Sequence, residues 1–244
     1  MRDRSVVTIA HDREQLARCA AGKIRERIAL AIAVRGICTV ALAGGETPRR
    51  VYQILAGEEQ RCAIPWDHVH LFFGDERMVP PDDPDSNYGM VHRELVSRIP
   101  ILPGNVHRIR GEAAPADAAR EYGVDLNEHF EGRPPRFDIV LLGVGQDGHT
   151  ASLFPGTSAL AEVTALAVSC FVPQVRSWRV TLTIPVFDNA RDIVFLAAGE
   201  AKSSVIAKIM ATGGPHRDLP ASLIRPTQGR VEWLLDSDAA SLLH

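Results

Sequence analysis

The sequence lacks an excess of charge of one sign, a long apolar run and paired cysteines. Its 27 Lys and Arg residues nearly balance 30 Asp and Glu residues, which gives a net charge of −3. Proteins that bind the phosphate backbone carry a basic surface, so we expect no nucleic-acid partner. No apolar run approaches the roughly 20 residues that cross a bilayer, and no lysine-rich amphipathic segment is present. We therefore expect no membrane partner either.

Cysteine is scarce, and its spacing does not suggest pairing. The four residues are Cys19, Cys38, Cys62 and Cys170, and no two of them form a Cys-x-x-Cys motif. The first residues also lack the apolar stretch and cleavage site of a secretory signal. This cysteine usage is typical of free thiols in a reducing compartment. We expect a cytoplasmic protein without disulfides.

The composition is that of an ordinary globular protein. Hydrophobic residues make up 45% of the 244 residues, charged residues 23% and aromatic residues 6%. These fractions exclude collagen, coiled-coil and disordered chains, and the length is sufficient to bury a sizeable core. Because no internal repeat or low-complexity linker is present, we expect residues 1–244 to form a single domain.

Short β-branched runs alternate with helical stripes along the chain. Apolar residues spaced four apart predict a helix after Asp12, a candidate N-cap. Further helices are expected over 47–55 (with Pro48 in the first position), 87–98, 115–130 and 201–211. Strands are expected over 5–10, 37–43, 69–73, 106–109, 137–142, 165–172, 180–184, 193–198 and 231–235, with a short extended piece over 221–224. This alternation predicts an α/β fold, a Rossmann-like open and mainly parallel sheet with helices on both faces.

Glycines and titratable residues follow several of the predicted strands directly. Ligands of open α/β sheets bind outside the carboxyl ends of the strands, so these segments are the place to look for a site. They are Gly44-Gly45-Glu46-Thr47, Gly74-Asp75-Glu76-Arg77, Gly143–His149 and Gly199–Lys202. Their convergence at one edge predicts a binding or catalytic site there.

The segment Gly143-x-Gly145-x-x-Gly148 has the glycine spacing of the dinucleotide-binding fingerprint but not its structural context. That fingerprint needs a helix to begin there, whereas Pro155-Gly156 stops any helix within about two turns. The glycines favour a tight turn that presents Asp147 and His149. A neutral imidazole can take a proton from water, and a neighbouring carboxylate can orient it. We predict His149 and Asp147 as catalytic residues; the alternative is an ordinary surface histidine.

The Gly44-Gly45-Glu46-Thr47-Pro48 segment predicts a strand-to-helix turn that can bind an anion. Free backbone N–H groups and the helix dipole favour a negative charge at such a turn. Arg179 and Lys202 are the cations best placed to join it, because each lies near a predicted strand end. The alternative is a plain glycine turn with a Thr47 cap.

No segment predicts a metal or a cofactor. His68 and His70 point to one face of a strand, but no third ligand stands at metal-binding spacing. The His92-Arg93-Glu94 sequence is not followed by the Pro-Cys-x-x-Cys of a zinc deaminase, and no Gly-x-Ser-x-Gly of a serine hydrolase is present. We expect neither a metal nor a cofactor.

Together the motifs resemble the 6-phosphogluconolactonases of the glucosamine-6-phosphate isomerase/6-phosphogluconolactonase family. They are ALAGGETPRRVY (41–52), FFGDERMVPPDDPDSNYGM (72–90), FDIVLLGVGQDGHTASLFPG (137–156), RVTLTIPVFDNA (179–190) and GEAKSSVI (199–206). The resemblance implies hydrolysis of 6-phospho-D-glucono-1,5-lactone in the oxidative pentose phosphate pathway. A lactone is an activated ester, so its hydrolysis needs a positioned base and charge stabilisation rather than a metal. The resemblance also implies that His149 is the general base, with Asp147 beside it. It places Gly44, Gly45, Thr47, Asp75, Arg77, Arg179 and Lys202 in the substrate and phosphate site.

One residue departs from the family pattern, and two other functions remain open. Glu46 stands where relatives often have a small polar residue, and a carboxylate there would repel phosphate unless it turns outward. The alternatives are an amino-sugar-phosphate isomerase or deaminase, and a non-catalytic phosphosugar sensor. The related deaminases continue differently after Asp-Gly-His and carry a tyrosine in place of Arg77. We expect a monomer or a weak homodimer.

Overall fold

The structure is a computed structural model that describes residues 5–243. This part of the chain contains nine strands and seven helices, together with several short 3₁₀ turns. The strands are β1 (Ser5–Ala10), β2 (Cys38–Leu42), β3 (Val69–Phe73), β4 (Asp75–Arg77), β5 (Ile139–Gly143), β6 (Ala167–Val172), β7 (Ser177–Leu182), β8 (Asp192–Ala197) and β9 (Arg230–Asp236). The helices are α1 (Arg13–Arg35), α2 (Glu46–Leu55), α3 (Glu58–Ala63), α4 (Asn87–Glu94), α5 (Pro115–His129), α6 (Ile184–Asp188) and α7 (Ser203–Ala211).

Six strands form a parallel sheet in the order β1-β9-β8-β5-β2-β3. Every residue of β2 is buried, and so is almost all of β5 and β8. Strands buried on both faces are near-continuous apolar runs, and here helices supply the cover. The buried apolar side chains join into one hydrophobic cluster. The predicted α/β fold, with its mainly parallel sheet covered on both faces, is confirmed.

Three strands form a second, antiparallel sheet in the order β4-β7-β6. We expected two of them, over 165–172 and 180–184, but not in a sheet of their own, and β4 was not predicted. The chain changes sheets at Gly74, whose N–H donates to Leu42 O while its own carbonyl accepts from Leu182 N. β4 is only three residues long and polar, so it carries no apolar alternation by which a sequence pattern can detect it.

Two predicted extended segments are wrong, and two helices begin elsewhere than expected. Residues 106–109 form only an isolated bridge to β3, at Val106, and 221–224 lies largely in the 3₁₀ turn Pro220–Leu223. α2 begins at Glu46, with Gly45 as its N-cap, so Pro48 is its third residue rather than its first. α7 begins at Ser203, after a 3₁₀ turn over Glu200–Lys202.

Local capping explains the ends of the longest helix. The Asp12 side chain accepts a hydrogen bond from Gln15 N, as predicted for the N-cap of α1. Gly36 ends the helix with φ of 82°, a left-handed conformation that costs glycine no Cβ clash. No helix among residues 5–243 is long and apolar enough to cross a membrane.

Candidate active site

The loop after β5 closes on itself and forms no helix. Gly145 N donates to His149 O at 2.8 Å, and the Thr150 hydroxyl donates to Gly143 O at 2.8 Å. A Cβ on Gly145 would lie 2.0 Å from His149 Nδ1, so the imidazole rests directly over this glycine's backbone. With no helix N-terminus behind it, the loop cannot bind a dinucleotide in the usual way. It serves instead to hold the histidine.

Asp147 and Phe154 fix the His149 ring. Asp147 Oδ1 lies 2.6 Å from His149 Nδ1 and also accepts from the His149 backbone N–H at 3.1 Å. The ring stacks on Phe154 with centroids 3.9 Å apart. An ionised carboxylate can only accept, so Nδ1 carries the imidazole proton and Nε2 keeps its lone pair. This arrangement orients a basic nitrogen.

Burial governs the charge of this histidine. It lowers the pKa of His149 below the ordinary value, and the Asp147 charge and hydrogen bond offset the effect only in part. Since an unperturbed histidine titrates near about 6.5, His149 is neutral at pH 7. A neutral, oriented imidazole is the form that a general base requires.

The Gly44-Gly45 turn leads from β2 into α2. Gly45 has φ of 99°, in the left-handed region, and a Cβ on Gly44 would lie 1.8 Å from Asn87 Oδ1. Thr47 is in the first turn of α2, next to the free N–H groups of its N-terminus. Glu46 turns outward to Arg49, 3.1 Å away, and its side chain is 81% exposed. The one departure from the family pattern therefore leaves the turn free for an anion.

Asp75 is a buried carboxylate that connects three segments of the site. Ser152 Oγ donates to its Oδ2 at 2.6 Å. Asn87 Nδ2 donates to both its carbonyl oxygen, at 2.9 Å, and its Oδ1, at 3.2 Å. Because Asn87 also packs against Gly44, Asp75 holds the glycine turn, α4 and the loop after His149 together. It was predicted in the substrate site, and these contacts give it a positioning role.

We expect Ser152→Ala to lower the free energy of unfolding by about 1–2 kcal/mol, because the buried Asp75 Oδ2 loses the hydroxyl that donates to it. Urea denaturation monitored by circular dichroism measures the difference. Ser97→Ala is the matched control: Ser97 is exposed, on the 3₁₀ turn Val96–Arg98, and should change stability by less than about 0.5 kcal/mol. Equal losses in both variants would show that the Ser152–Asp75 bond adds nothing.

Two arginines face each other across the small antiparallel sheet. Arg77 on β4 pairs in register with Arg179 on β7. Burial, and then the charge of Arg77, lower the pKa of Arg179. Among the described residues, the buried Nε atom of each arginine has no hydrogen-bond partner, although another nitrogen of Arg77 donates a hydrogen bond to Asp85 O. Like charges directly opposite each other are unfavourable in a sheet, so this pair favours an anion between or beside them.

Lys202 brings a positive charge to the His149 side of the site. It ends the 3₁₀ turn after Gly199, whose φ is 90°. Burial lowers the pKa of Lys202, while the charge of Asp147 acts in the opposite direction. The charge of Lys202 in turn lowers the pKa of His149. Most of the predicted site residues thus lie in the segments that directly follow β2, β3, β5 and β8, whereas Arg179 lies inside β7 of the small antiparallel sheet.

Sequence reasoning missed several residues that shape this site. Asn87, Ser152 and Phe154 lie inside the recognised motifs, but only the fold shows what they touch. Glu76 is buried, and its carboxylate accepts the backbone N–H groups of Asn87 and Tyr88, which anchors the start of α4. Burial raises the pKa of Glu76 to about 7. The signal available was Ser86-Asn87 after an Asp-rich loop, which reads as a helix N-cap.

The histidine pair noted in the sequence is not a pair in the structure. His68 lies in a 3₁₀ turn, where its Nδ1 is 2.9 Å from Gly36 O. His70 lies instead with His107 and His129, and one ring nitrogen of each is within 4.8 Å of the others. Spacing along the sequence did not indicate this group, because its three histidines come from distant parts of the chain.

Known proteins match nearly the whole chain. The family model described as glucosamine-6-phosphate isomerases/6-phosphogluconolactonase matches residues 11–233. A 6-phosphogluconolactonase of Synechocystis sp. is 41% identical, over 90% of this chain and 90% of its own. A crystal structure of a protein named devB has a TM-score of 0.90 at 34% identity, covering 98% of this chain and 100% of that one. The 6-phosphogluconolactonase structure from Trypanosoma brucei has a TM-score of 0.86 at 30% identity, covering 98% and 99%. The chain belongs to the glucosamine-6-phosphate isomerase/6-phosphogluconolactonase family.

Proposed function

We propose that the chain hydrolyses 6-phospho-D-glucono-1,5-lactone to 6-phospho-D-gluconate, a step of the oxidative pentose phosphate pathway, with His149 as the general base. The observation that carries the proposal is the His149–Asp147 pair, whose nitrogen and oxygen are 2.6 Å apart, close enough to Lys202 for its charge to lower the pKa of His149. Relatives that cover most of the chain are named for this reaction.

The chemistry needs only a positioned base and a way to stabilise charge. His149 Nε2 takes a proton from water as the water oxygen bonds to the lactone carbonyl carbon, which forms a tetrahedral oxyanion. Collapse of this intermediate breaks the bond to the ring oxygen, and the imidazolium returns its proton to that oxygen. Asp147 stabilises the transient imidazolium, as a carboxylate does in other acid–base dyads. The carboxylic acid product then ionises to the solvent.

The glycine turn and the nearby cations are suited to bind the phosphate group of this substrate. The N-terminus of α2 at Gly44, Gly45 and Thr47 supplies free N–H groups, and Arg179 and Lys202 supply charge. We assign Arg77, which lies opposite Arg179 in the small sheet, to substrate binding as well, and Asp75 to holding the glycine turn and the loop after His149 in place. The outward turn of Glu46 removes the carboxylate that would oppose a phosphate here.

A direct assay tests the proposal against the deaminase alternative of the same family. The purified chain is given 6-phosphogluconolactone in one reaction, with proton release followed in weakly buffered solution, and glucosamine 6-phosphate in another, with ammonia release followed. We expect turnover of the lactone well above its spontaneous opening, and no ammonia. Ammonia release with no lactone turnover would overturn the proposal, and binding without turnover of either compound would favour a sensor.

We expect lactone hydrolysis to survive exhaustive chelation. A lactone is an activated ester, and the proposed base acts on water without a Lewis acid. Turnover is compared at 25 °C before and after dialysis against EDTA. A loss of turnover that one divalent ion restores would contradict the proposed mechanism.

We also propose that residues 1–244 act as one domain in the cytoplasm, as a monomer or weak homodimer. The single hydrophobic cluster supports one domain, and the four free cysteines fit a reducing compartment. Size-exclusion chromatography with light scattering over a range of concentrations tests the oligomeric state.

A further inference from the structure

Three histidines converge at the edge of the parallel sheet, away from the lactone site. His70 is in the edge strand β3, His107 lies on the segment that runs along that edge, and His129 is the last residue of α5. The segment is held there by the His107 N–H, which donates to Leu71 O at 2.8 Å. β2 separates β3 from β5, after which the His149 loop begins. The cluster is therefore not part of the proposed catalytic machinery.

The ring nitrogens are spaced like ligands of one ion. His70 Nδ1 lies 3.2 Å from His107 Nε2, and the three candidate ligand atoms are all within 4.8 Å of one another. Tetrahedral Zn²⁺ with Zn–N bonds of about 2.0–2.1 Å sets its ligand atoms about 3.3 Å apart. The first pair already has that separation, and a small rotation of the partly exposed His129 ring brings in the third.

A carboxylate fixes one of the three rings from behind. Asp125 Oδ1 and Oδ2 lie 3.0 and 3.1 Å from His107 Nδ1. The proton of His107 is therefore on Nδ1, and Nε2 directs its lone pair toward His70. Phe72 stacks flat on the same ring, with centroids 4.1 Å apart and planes 2° apart. A carboxylate–histidine pair of this kind recurs behind metal ligands, where it fixes the tautomer and raises basicity.

His70 and His129 of the cluster are held in the neutral form, which is the form that can bind a cation. Burial, and then the neighbouring histidines, lower the pKa of His70 to about 4. Burial and the charge of His107 likewise lower the pKa of His129, against the opposing charge of Asp125. Neutral imidazole is the form that binds metals, and three imidazoles without thiolates select borderline ions such as Zn²⁺, Co²⁺ or Ni²⁺.

We propose that His70, His107 and His129 bind one divalent transition-metal ion of the Zn²⁺ type, with Asp125 supporting His107. Three imidazoles leave the fourth tetrahedral position to water, as in other three-ligand zinc sites. The ion joins β3, the segment that runs along its edge and α5, so it stabilises the folded state without entering the lactone reaction. An ion that binds the folded state alone raises the midpoint of thermal unfolding by mass action.

The test uses the full chain, stripped with EDTA and then titrated with Zn²⁺ or Co²⁺ at pH 7.5. Isothermal titration calorimetry should give one equivalent, Co²⁺ should develop visible absorption, and excess Zn²⁺ should raise Tm by about 5–10 °C. His129→Gln should abolish all three signals. His68→Gln should keep them, since His68 is exposed and outside the cluster. Equal binding by these two variants, or no binding by the unaltered chain, would overturn the proposal.

A second variant keeps the test valid if His129→Gln folds poorly. Asp125→Asn leaves all three imidazoles in place and should weaken Zn²⁺ binding by about 10–100-fold. Lactone turnover at 25 °C is measured in parallel and should be unchanged in every variant and after EDTA, while EDTA lowers Tm. Unchanged Zn²⁺ affinity in Asp125→Asn would contradict the proposed support of His107. Failure of lactone turnover in the unaltered chain would count against the proposed function alone.

Discussion

His149→Asn should lower kcat for 6-phosphogluconolactone by about 10²–10⁴, the usual contribution of a general base. The asparagine side chain preserves a hydrogen-bonding group near Asp147 but has no lone pair basic enough to take a proton from water. Binding of the product 6-phosphogluconate should change little, because the phosphate contacts lie elsewhere. Steady-state kinetics with the spontaneous opening rate subtracted gives kcat, and calorimetry gives product affinity.

A matched control separates the role of His149 from a general effect of removing a histidine. His68 stands 3.6 Å from Asp67 in an exposed pair at the amino end of β3, and His68→Asn should retain full turnover. The pH profile adds a second readout. Since the neutral imidazole is the proposed base and the pKa of His149 is lowered, activity should fall only as the pH drops below about 6.5. His149→Asn should lose that acid limb; a variant with near-normal turnover would contradict the assignment.

Much of the fold could be predicted because burial on two faces leaves a local pattern. β2, β5 and β8 are short apolar runs, and the cap at Asp12 is encoded within four residues. The antiparallel sheet could not be predicted, because β4 is short and polar and its partner β7 lies a hundred residues away. Pattern reading detects a strand but not which strand it pairs with.

The candidate site likewise has residues that a local sequence pattern indicates and residues that only tertiary packing brings together. His149 and the Gly44-Gly45 turn could be proposed from the sequence because ligand sites of open sheets follow the strand ends, and strand ends can be located from sequence. The link from Ser152 through Asp75 to Asn87 was missed because it exists only after β4, α4 and the His149 loop have packed together. The cluster of His70, His107 and His129 was missed for the same reason, since its histidines share no short spacing.

Removing the proposed contact between Lys202 and the substrate phosphate, from either side, should greatly lower kcat/KM. Plain glucono-1,5-lactone lacks the group that the Gly44-Gly45 turn, Arg179 and Lys202 are proposed to hold, so it should be a far poorer substrate of the intact enzyme. Charge-assisted hydrogen bonds are worth about 1.5–3 kcal/mol each, so Lys202→Ala should lower kcat/KM for the phosphorylated lactone by about 10–100-fold. Part of the loss can fall on kcat, since remote binding energy also positions the reacting carbonyl.

The decisive measurement is kcat/KM for two lactones with two enzymes. Lys202→Ala should hardly affect the plain lactone, because the lysine then has no phosphate to hold. Lys208→Ala, an exposed lysine farther along α7, should leave both values unchanged. Lys202 also lowers the pKa of His149, so its removal shifts the acid limb of the pH profile upward for both lactones, and the comparison is made at pH 8. Equal losses on both lactones at that pH would mean that Lys202 serves the fold or the hydrolysis step rather than the phosphate.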